Sequence, residues 1–380
     1  MIDKKEKFEL RTVFNKNSIK YTANQIKKIY PLFDEQSFYH DSLKNFDTLN
    51  FSPRCERIRD MLYHYLPKDY SQAVTILVNA LGEEKDDEEL EGYDGFYVMP
   101  FCAYIAHYGL HKEDLFDFNM NAQVAMTKRF TAEFSIRYFL KEYEEMTLSF
   151  LHTLTTSSNC HVRRLASEGS RPRLPLSIRL HSFVKNPKKV LLLLDALKNE
   201  STRLVQRSIA NNLNDIAKDN PDAVTDFLQL WKQQNVKDID WIIAHATRTL
   251  VKNGHIPTLE LLGYKTDITP KVTEFKITTP TVILGGTLEF SFRLQLDSHQ
   301  SSKILIDYIL YFKKANGELK AKVFKLTTKT MQKNEPLIIQ KKHPLKFATT
   351  RTYYSGIQKI ELQINGKTMG TQYPFELLVN

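Results

Sequence analysis

Val205-Gln-Arg-Ser-Ile-Ala-Asn-Asn-Leu213 returns 37 residues later as Ile242-Ile-Ala-His-Ala-Thr-Arg-Thr-Leu250. Its opening, Leu204-Val-Gln-Arg-Ser-Ile209, is matched 43 residues earlier by His161-Val-Arg-Arg-Leu-Ala166. Each copy carries apolar residues at helical spacing, and the partner helices end in turns such as Asp219-Asn-Pro221. A period near 40 with paired helices is the mark of HEAT-type repeats. In such a stack each pair buries one face against its neighbours, and one helix of each pair lines a concave surface. Upstream, Ala122–Leu151 contains no Gly or Pro and reads as one long helix. Residues 1–267 are therefore expected to form an all-α solenoid.

After Gly263 the apolar period becomes two. Leu288, Phe290, Phe292, Leu294 and Leu296 fall on one side of a strand preceded by Gly285-Gly286. Ile304, Ile306, Tyr308, Leu310 and Phe312 form a second face closed by Ala315-Asn316-Gly317. Ile360, Leu362 and Ile364 form a third that ends in an Asn365-Gly366 hairpin turn. About seven short strands are expected over residues 268–380, an immunoglobulin-like β-sandwich without the Cys and Trp core of antibody domains. The fold class is thus multidomain α + β.

A length of 380 residues, 42% hydrophobic and 26% charged, suits two or three globular domains. No apolar run is long enough to span a bilayer, and Met1-Ile-Asp-Lys-Lys-Glu-Lys7 leads into no secretory core. Cys55, Cys102 and Cys160 lack metal-site or CxxC spacing, which argues against a disulfide scaffold or structural zinc and fits a cytosolic protein. The net charge of +9 is unevenly spread. Residues 1–150 hold 19 Lys and Arg against 25 Asp and Glu, 151–270 hold 17 against 11, and 271–380 hold 17 against 8. Two separate basic segments favour a polyanion as partner over a merely solvated face. The run Glu83–Glu89 reads as a solvated loop.

The densest basic stretch surrounds one acid, Glu168, in Arg163-Arg164-Leu-Ala-Ser-Glu-Gly-Ser-Arg-Pro-Arg173. A helix is expected from about Ser158 to Gly169, with Gly169 as a left-handed cap. Glu168 then stands in the last turn, either salt-bridged to Arg164 or Arg171 or held beside a bound phosphate chain. Asp215 shares a helical stripe with Arg207, Asn211 and Lys218, which either faces a ligand or is an ordinary solvated face. Glu133 and Arg137 have the spacing of an i,i+4 ion pair. His107 and His111 lack the Glu of a helix-borne metal site, and no GxSxG, Walker or GxGxxG string is present. Cys160 and His161, adjacent on a helix, do not face one another.

At these residues the chain resembles the DNA alkylation repair glycosylases built from HEAT-like repeats, and within them the AlkC branch. Ala166-Ser-Glu-Gly-Ser-Arg-Pro-Arg-Leu-Pro175 and Ser208-Ile-Ala-Asn-Asn-Leu-Asn-Asp-Ile-Ala-Lys-Asp219 carry most of the likeness. Phe130-Thr-Ala-Glu-Phe-Ser-Ile-Arg137, His245-Ala-Thr-Arg-Thr-Leu-Val-Lys-Asn-Gly254, Ile306-Asp-Tyr308, Lys313-Lys-Ala-Asn-Gly317 and Lys322-Val-Phe-Lys325 add to it, so that it spans essentially the whole chain. The resemblance implies a monomeric glycosylase that needs no metal or cofactor. Its substrates would be cationic N3-methylated bases, 3-methyladenine and 3-methylcytosine, in duplex DNA bent on the concave face without deep base flipping. By motif position Glu133, Glu168 and Asp215 would stand beside the lesion, with Glu168 the principal stabiliser and water-positioning residue and the other two in support. Arg163, Arg164, Arg171, Arg173, Arg207, Arg248, Lys322, Lys325 and Arg351 would bind DNA. Leu176 stands where the branch's string continues with Trp, and Asn212 where a His is expected. Leu176 favours the runner-up reading, a non-catalytic duplex or branched-DNA binder; a scaffold for acidic proteins ranks third.

Overall fold

The computed structural model describes residues 8–84, 94–297, 301–332, 335–347 and 351–379. Among the described residues sixteen α-helices come first: α1 (Lys16–Ile29), α2 (Glu35–Leu43), α3 (Phe51–Tyr65), α4 (Tyr70–Asn79), α5 (Met99–Tyr104), α6 (Phe116–Thr127), α7 (Ile136–Glu142) and α8 (Glu144–Leu154). They continue as α9 (Cys160–Gly169), α10 (His181–Lys185), α11 (Lys188–Ala196), α12 (Arg203–Ile216), α13 (Pro221–Gln233), α14 (Ile239–Ala246), α15 (Arg248–Lys252) and α16 (Ile256–Leu261). No described helix is long and apolar enough to cross a membrane. The chain divides into two compact units, one running to Asn220 and including Trp231–Ala246, the other comprising Pro221–Leu230 and everything from Thr247. Of the acidic run, residues 85–89 lie outside the described residues, while Glu84 pairs with Lys128 and Arg129.

In the first unit the repeat seen in the sequence has a structural counterpart. Asn159 caps α9 by accepting from the amides of His161 and Val162. Arg163 on α9 forks onto Glu200, ahead of α12, at 2.6 and 3.0 Å. Gln206, the residue equivalent to Arg163 at the 43-residue offset, donates to Asp238 ahead of α14 at 2.9 Å. Each of these two helices is thus tied to the acid that precedes the next. With α9 on one side and α14 on the other, α12 is buried nearly all round. Arg207 is its exposed residue and Lys218, two residues past its end, is exposed too, while Ser208, Asn212 and Asp215 are buried. The expected shared polar stripe is therefore split by the flanking helices.

The expected long helix over Ala122–Leu151 is not continuous. It breaks between α6 and α7 and again at Tyr143. At the first break Thr127 Oγ1 accepts from the Ala132 amide and Thr131 Oγ1 accepts from the Glu133 amide. Such side-chain bonds compete with the helical ladder, and a window free of Gly and Pro does not reveal them. Trp231 is buried, its Nε1 donating to Asp195 at 2.8 Å. Trp241 stacks on His245 and receives the Arg203 guanidinium at 4.1 Å from its ring.

The second unit contains a sandwich of β1 (Thr269–Ile277), β2 (Thr281–Ile283), β3 (Thr287–Asp297), β4 (Ser302–Lys313), β5 (Leu319–Met331), β6 (Leu337–Pro344), β7 (Gly356–Ile364), β8 (Lys367–Thr368) and β9 (Tyr373–Leu378). One sheet has the order β1-β3-β6, and the other β2-β9-β7-β4-β5 with β8 beside β7. The predicted inward faces of β3, β4 and β7 form the core. On β4 the alternate residues Leu305, Asp307 and Ile309 are buried as well. Leu305 packs with Leu259 of α16 and with Tyr264, so the helices at the head of this unit cover the outer face. Asn365 and Gly366 both have positive φ, as the predicted hairpin requires. A Cβ on Gly366 would lie 2.3 Å from the Cα of Gly254, and this backbone contact admits only glycine at both positions.

Candidate active site

The helix break places Glu133 in a turn and the first turn of α7 against the end of α9. A Cβ on Gly169 would meet Ile136 Cγ2 at 2.6 Å. Gly169 is therefore the last residue of α9 and a close-approach glycine, not the expected left-handed cap, and Ser170 follows at φ −87. The chain then runs through Arg171, Pro172 and Arg173 to Leu176, which has φ 60 and is 70% exposed.

Arg171 joins two buried carboxylates. Its Nη1 donates to Glu168 Oε1, while Nε and Nη2 reach Asp215 Oδ2 at 2.8 Å. Glu168 Oε2 accepts from the Ser208 hydroxyl of α12, and Asp215 Oδ1 from Lys218 Nζ at 2.8 Å. Arg164 makes the link to the third carboxylate: its Nη2 donates to Glu133 Oε2 at 2.7 Å and lies 3.9 Å from Glu168 Oε1. Thr131 also donates to Glu133 Oε2. Glu133 Oε1 is the one oxygen of the three carboxylates left without a hydrogen-bond partner among the described residues. Glu133, Glu168 and Asp215 are thus brought together through two arginines.

The electrostatics follow from this geometry. Burial by itself would raise the Glu168 carboxyl, but the Arg164 and Arg171 charges and the Ser208 hydroxyl outweigh it and hold the carboxyl below its usual range. Burial opposes the Arg171 charge, and Glu168 and Asp215 outweigh that in turn, so its guanidinium is held more firmly protonated. Glu168 is therefore an anion at neutral pH, suited to stabilising positive charge and unsuited to donating a proton. Cys55, Cys102 and Cys160 are buried, and burial raises the thiols of Cys55 and Cys102, which leaves those two unsuited to nucleophilic work.

Several residues expected to bind DNA have other work. All five donors of Arg163 are used, on Glu200, Thr202 and the carbonyls of Ser157 and Ser158, so it holds the repeat joint. Arg171 is buried among the carboxylates. Arg173 forks onto Asp219 at 2.6 Å but is partly exposed, and Arg207 is exposed. In the second unit Arg248 opens α15. Lys322 and Arg351 line a groove of about 770 Å³ with Lys314 and Lys320, and Lys325 is exposed on the same strand, β5. That strand is an edge of its sheet, where lysines also serve to discourage strand pairing.

Arg137 does not form the expected ion pair with Glu133. It is fully buried and donates instead to the carbonyls of Gly169 (2.9 Å), Arg171 (2.5 Å) and Ile178 (3.1 and 2.6 Å). The helix break separates it from Glu133, and no sequence pattern signals carbonyls 32 to 41 residues away as its partners. Ser208 and Thr131 were likewise not singled out by sequence. Asn212 donates to the Ser167 carbonyl at 2.8 Å and to Ser170 Oγ at 3.1 Å, bracing the end of α9. Leu176 lines a cavity of about 440 Å³ together with Cys55, Met99, Phe134, Tyr138 and Ile178.

A family model described as DNA alkylation repair enzyme matches residues 120–250, and one described as the YhaZ C-terminal Ig-like domain matches residues 271–379. The uncharacterized protein YhaZ of Bacillus subtilis is 34% identical over 361 residues, which is 94% of this chain and 97% of that protein. Among solved structures, the Pseudomonas fluorescens alkylpurine DNA glycosylase AlkC, bound to DNA containing an abasic site analog, superposes with a TM-score of 0.88 at 32% identity. That match covers 98% of this chain and all of the other.

Proposed function

The chain belongs to the AlkC branch of the DNA alkylation repair enzymes, and we propose that it is a monofunctional glycosylase for cationic N3-methylated bases in duplex DNA. The observation that carries this reading is the set of three buried carboxylates ordered by Arg164 and Arg171. N3-methylation gives the base a positive charge, so it leaves without an acid to protonate it. An ionised Glu168 supplies none, which supports a substrate that is already cationic.

Cleavage of the N-glycosidic bond leaves oxocarbenium character on the deoxyribose, which nearby carboxylates stabilise electrostatically. Glu168 and Asp215, their oxygens occupied by Arg171, Ser208 and Lys218, act as fixed negative charge. Glu133 Oε1, which has no such partner, accepts the proton of the attacking water. Sequence reasoning gave Glu168 both roles; the hydrogen bonds favour dividing them. Arg173, Arg207, Arg248, Lys322, Lys325 and Arg351 bind flanking phosphates, and 3-methyladenine and 3-methylcytosine are the bases released.

The test is single-turnover release of bases from methylated duplex DNA, with chromatographic identification of the products. Release of either base, reduced by about 10²–10³ in Glu168→Gln with DNA affinity retained, is the expected result. Salt-dependent binding with no release by the wild type would leave the second reading, a non-catalytic DNA binder. The exposed, aliphatic Leu176 favours that alternative.

A further inference from the structure

We propose that Arg137 is the positioning residue that sets the geometry between Glu168, Arg171 and Asp215. The inference rests on the glycosylase reading above and deepens it. A fully buried arginine normally stands against a carboxylate, because an unpaired interior charge is costly. Arg137 has no carboxylate bonded to it: its hydrogen bonds all go to main-chain carbonyls, those of Gly169, Arg171 and Ile178. Burial and the nearby Arg171 charge push its guanidinium down to about 10, so it remains a cation at neutral pH without a direct counter-ion.

The placement of those carbonyls explains why such a costly group is kept. Gly169 ends α9, one residue beyond Glu168. Arg171 is the residue whose side chain bridges Glu168 and Asp215. Ile178 lies where the segment returns to the helices, and the Leu180 amide bonds Pro172 O at 3.1 Å across the same loop. One planar guanidinium thus fastens the start, the middle and the end of residues 169–178. The adjacent Ile136 meets Gly169 so closely that a methyl would not fit. Fixing the Arg171 backbone from below fixes the direction in which its side chain presents the two carboxylates. Lysine could bond one or two of these carbonyls but not all three positions at once.

The test compares wild type, Arg137→Lys and Arg137→Ala in single-turnover base release at saturating protein, with binding to abasic-analogue DNA measured separately. In Arg137→Lys the maximal rate should fall by about 30- to 100-fold, the loss produced by a misplacement of about 1 Å. The protein concentration at half-saturation should change less than threefold, and the melting transition should remain cooperative. The acid limb of the pH–rate profile should move upward, because Arg171 no longer sits as close to Glu168. In Arg137→Ala, methylguanidinium should restore release where urea at the same concentration does not. That comparison covers a lysine variant that fails to fold. Undiminished maximal release by Arg137→Lys, a loss confined to binding, or failure of methylguanidinium to restore release would overturn the proposal. Absence of release by the wild type would sink the glycosylase reading with it, so the two failures are distinct.

Discussion

Replacing Arg171 by Gln gives the sharpest test of the charge arrangement. The substitution keeps much of the volume and removes the cation shared by Glu168 and Asp215. Removing one partner of a buried ion pair costs about 3–5 kcal/mol, because the other charge is left stranded. Lys218 remains beside Asp215 at 2.8 Å, and Arg164 remains 3.9 Å from Glu168, so we expect about 4 kcal/mol at pH 7.5. The pH dependence separates this electrostatic cost from loss of packing. In the wild type the Glu168 carboxyl is held below its ordinary range, so its contribution is present above the unfolded carboxylate pKa and is lost as pH falls through the lower folded one. Without Arg171 the effect of burial is less opposed and the carboxyl rises. The folded variant then takes up a proton more readily than the unfolded chain, and its stability improves on acidification. Each pH unit in that window returns up to about 1.4 kcal/mol. Urea unfolding followed by circular dichroism at 222 nm should therefore show a loss of about 4 kcal/mol at pH 7.5 shrinking to about 2 at pH 5.5. A second replacement, Glu168→Gln, should recover part of the pH 7.5 loss. An equal loss at both pH values, with no recovery in the double variant, would refute the reasoning.

Three further outcomes can be checked independently. Asp307, buried on β4 with Oδ1 unpartnered, is raised by burial to about 6, so the sandwich loses stability as pH rises from the unfolded carboxyl value through 6. Asp307→Asn should stabilise it by about 1–3 kcal/mol at pH 8 and have little effect at pH 4, as read by strand-region circular dichroism. Arg163→Ala should cost about 3 kcal/mol in urea unfolding yet leave the salt dependence of DNA binding unchanged, whereas Arg207→Ala should leave stability intact and reduce the salt slope by about one ion; the reverse pattern would return Arg163 to the DNA surface. Gly169→Ala, whose methyl would lie 2.6 Å from Ile136 Cγ2, should destabilise by about 1–3 kcal/mol, and a neutral result would show that α7 and α9 are looser than described.

Local chemistry made much of the architecture legible. Repetition at 37 and 43 residues marked stacked helices because each repeat must bury the same face against the next. Alternation along β3, β4 and β7, with Asn365-Gly366 at a turn, marked strands because side chains of an extended chain point to opposite faces. The acids Glu133, Glu168 and Asp215 and the arginines around them could be named from motif strings. For Glu168 the expected partners, Arg164 and Arg171, are the ones found, whereas those of Glu133 and Asp215 could not be named. Glu133 was expected to pair with Arg137 four residues on, but side-chain bonds from Thr127 and Thr131 interrupt the helix and send the two residues apart. Asp215 was assigned to a possible solvated stripe because helical periodicity does not count neighbours, and α12 has one on each side. Arg163 looked like part of a phosphate-binding cluster, yet its equivalence to Gln206 was already present in the 43-residue offset and points to the repeat joint. The sequence by itself determined the repeated helices, the alternating strands β3, β4 and β7, and which acids stand near arginines, since these depend on neighbours in the chain. Only the tertiary structure decided that Arg171 joins Glu168 to Asp215, that Arg137 holds the loop beneath them and that one carboxylate oxygen is left open. Buried hydrogen bonds form between groups 30 to 45 residues apart in the chain, and no local spacing records them.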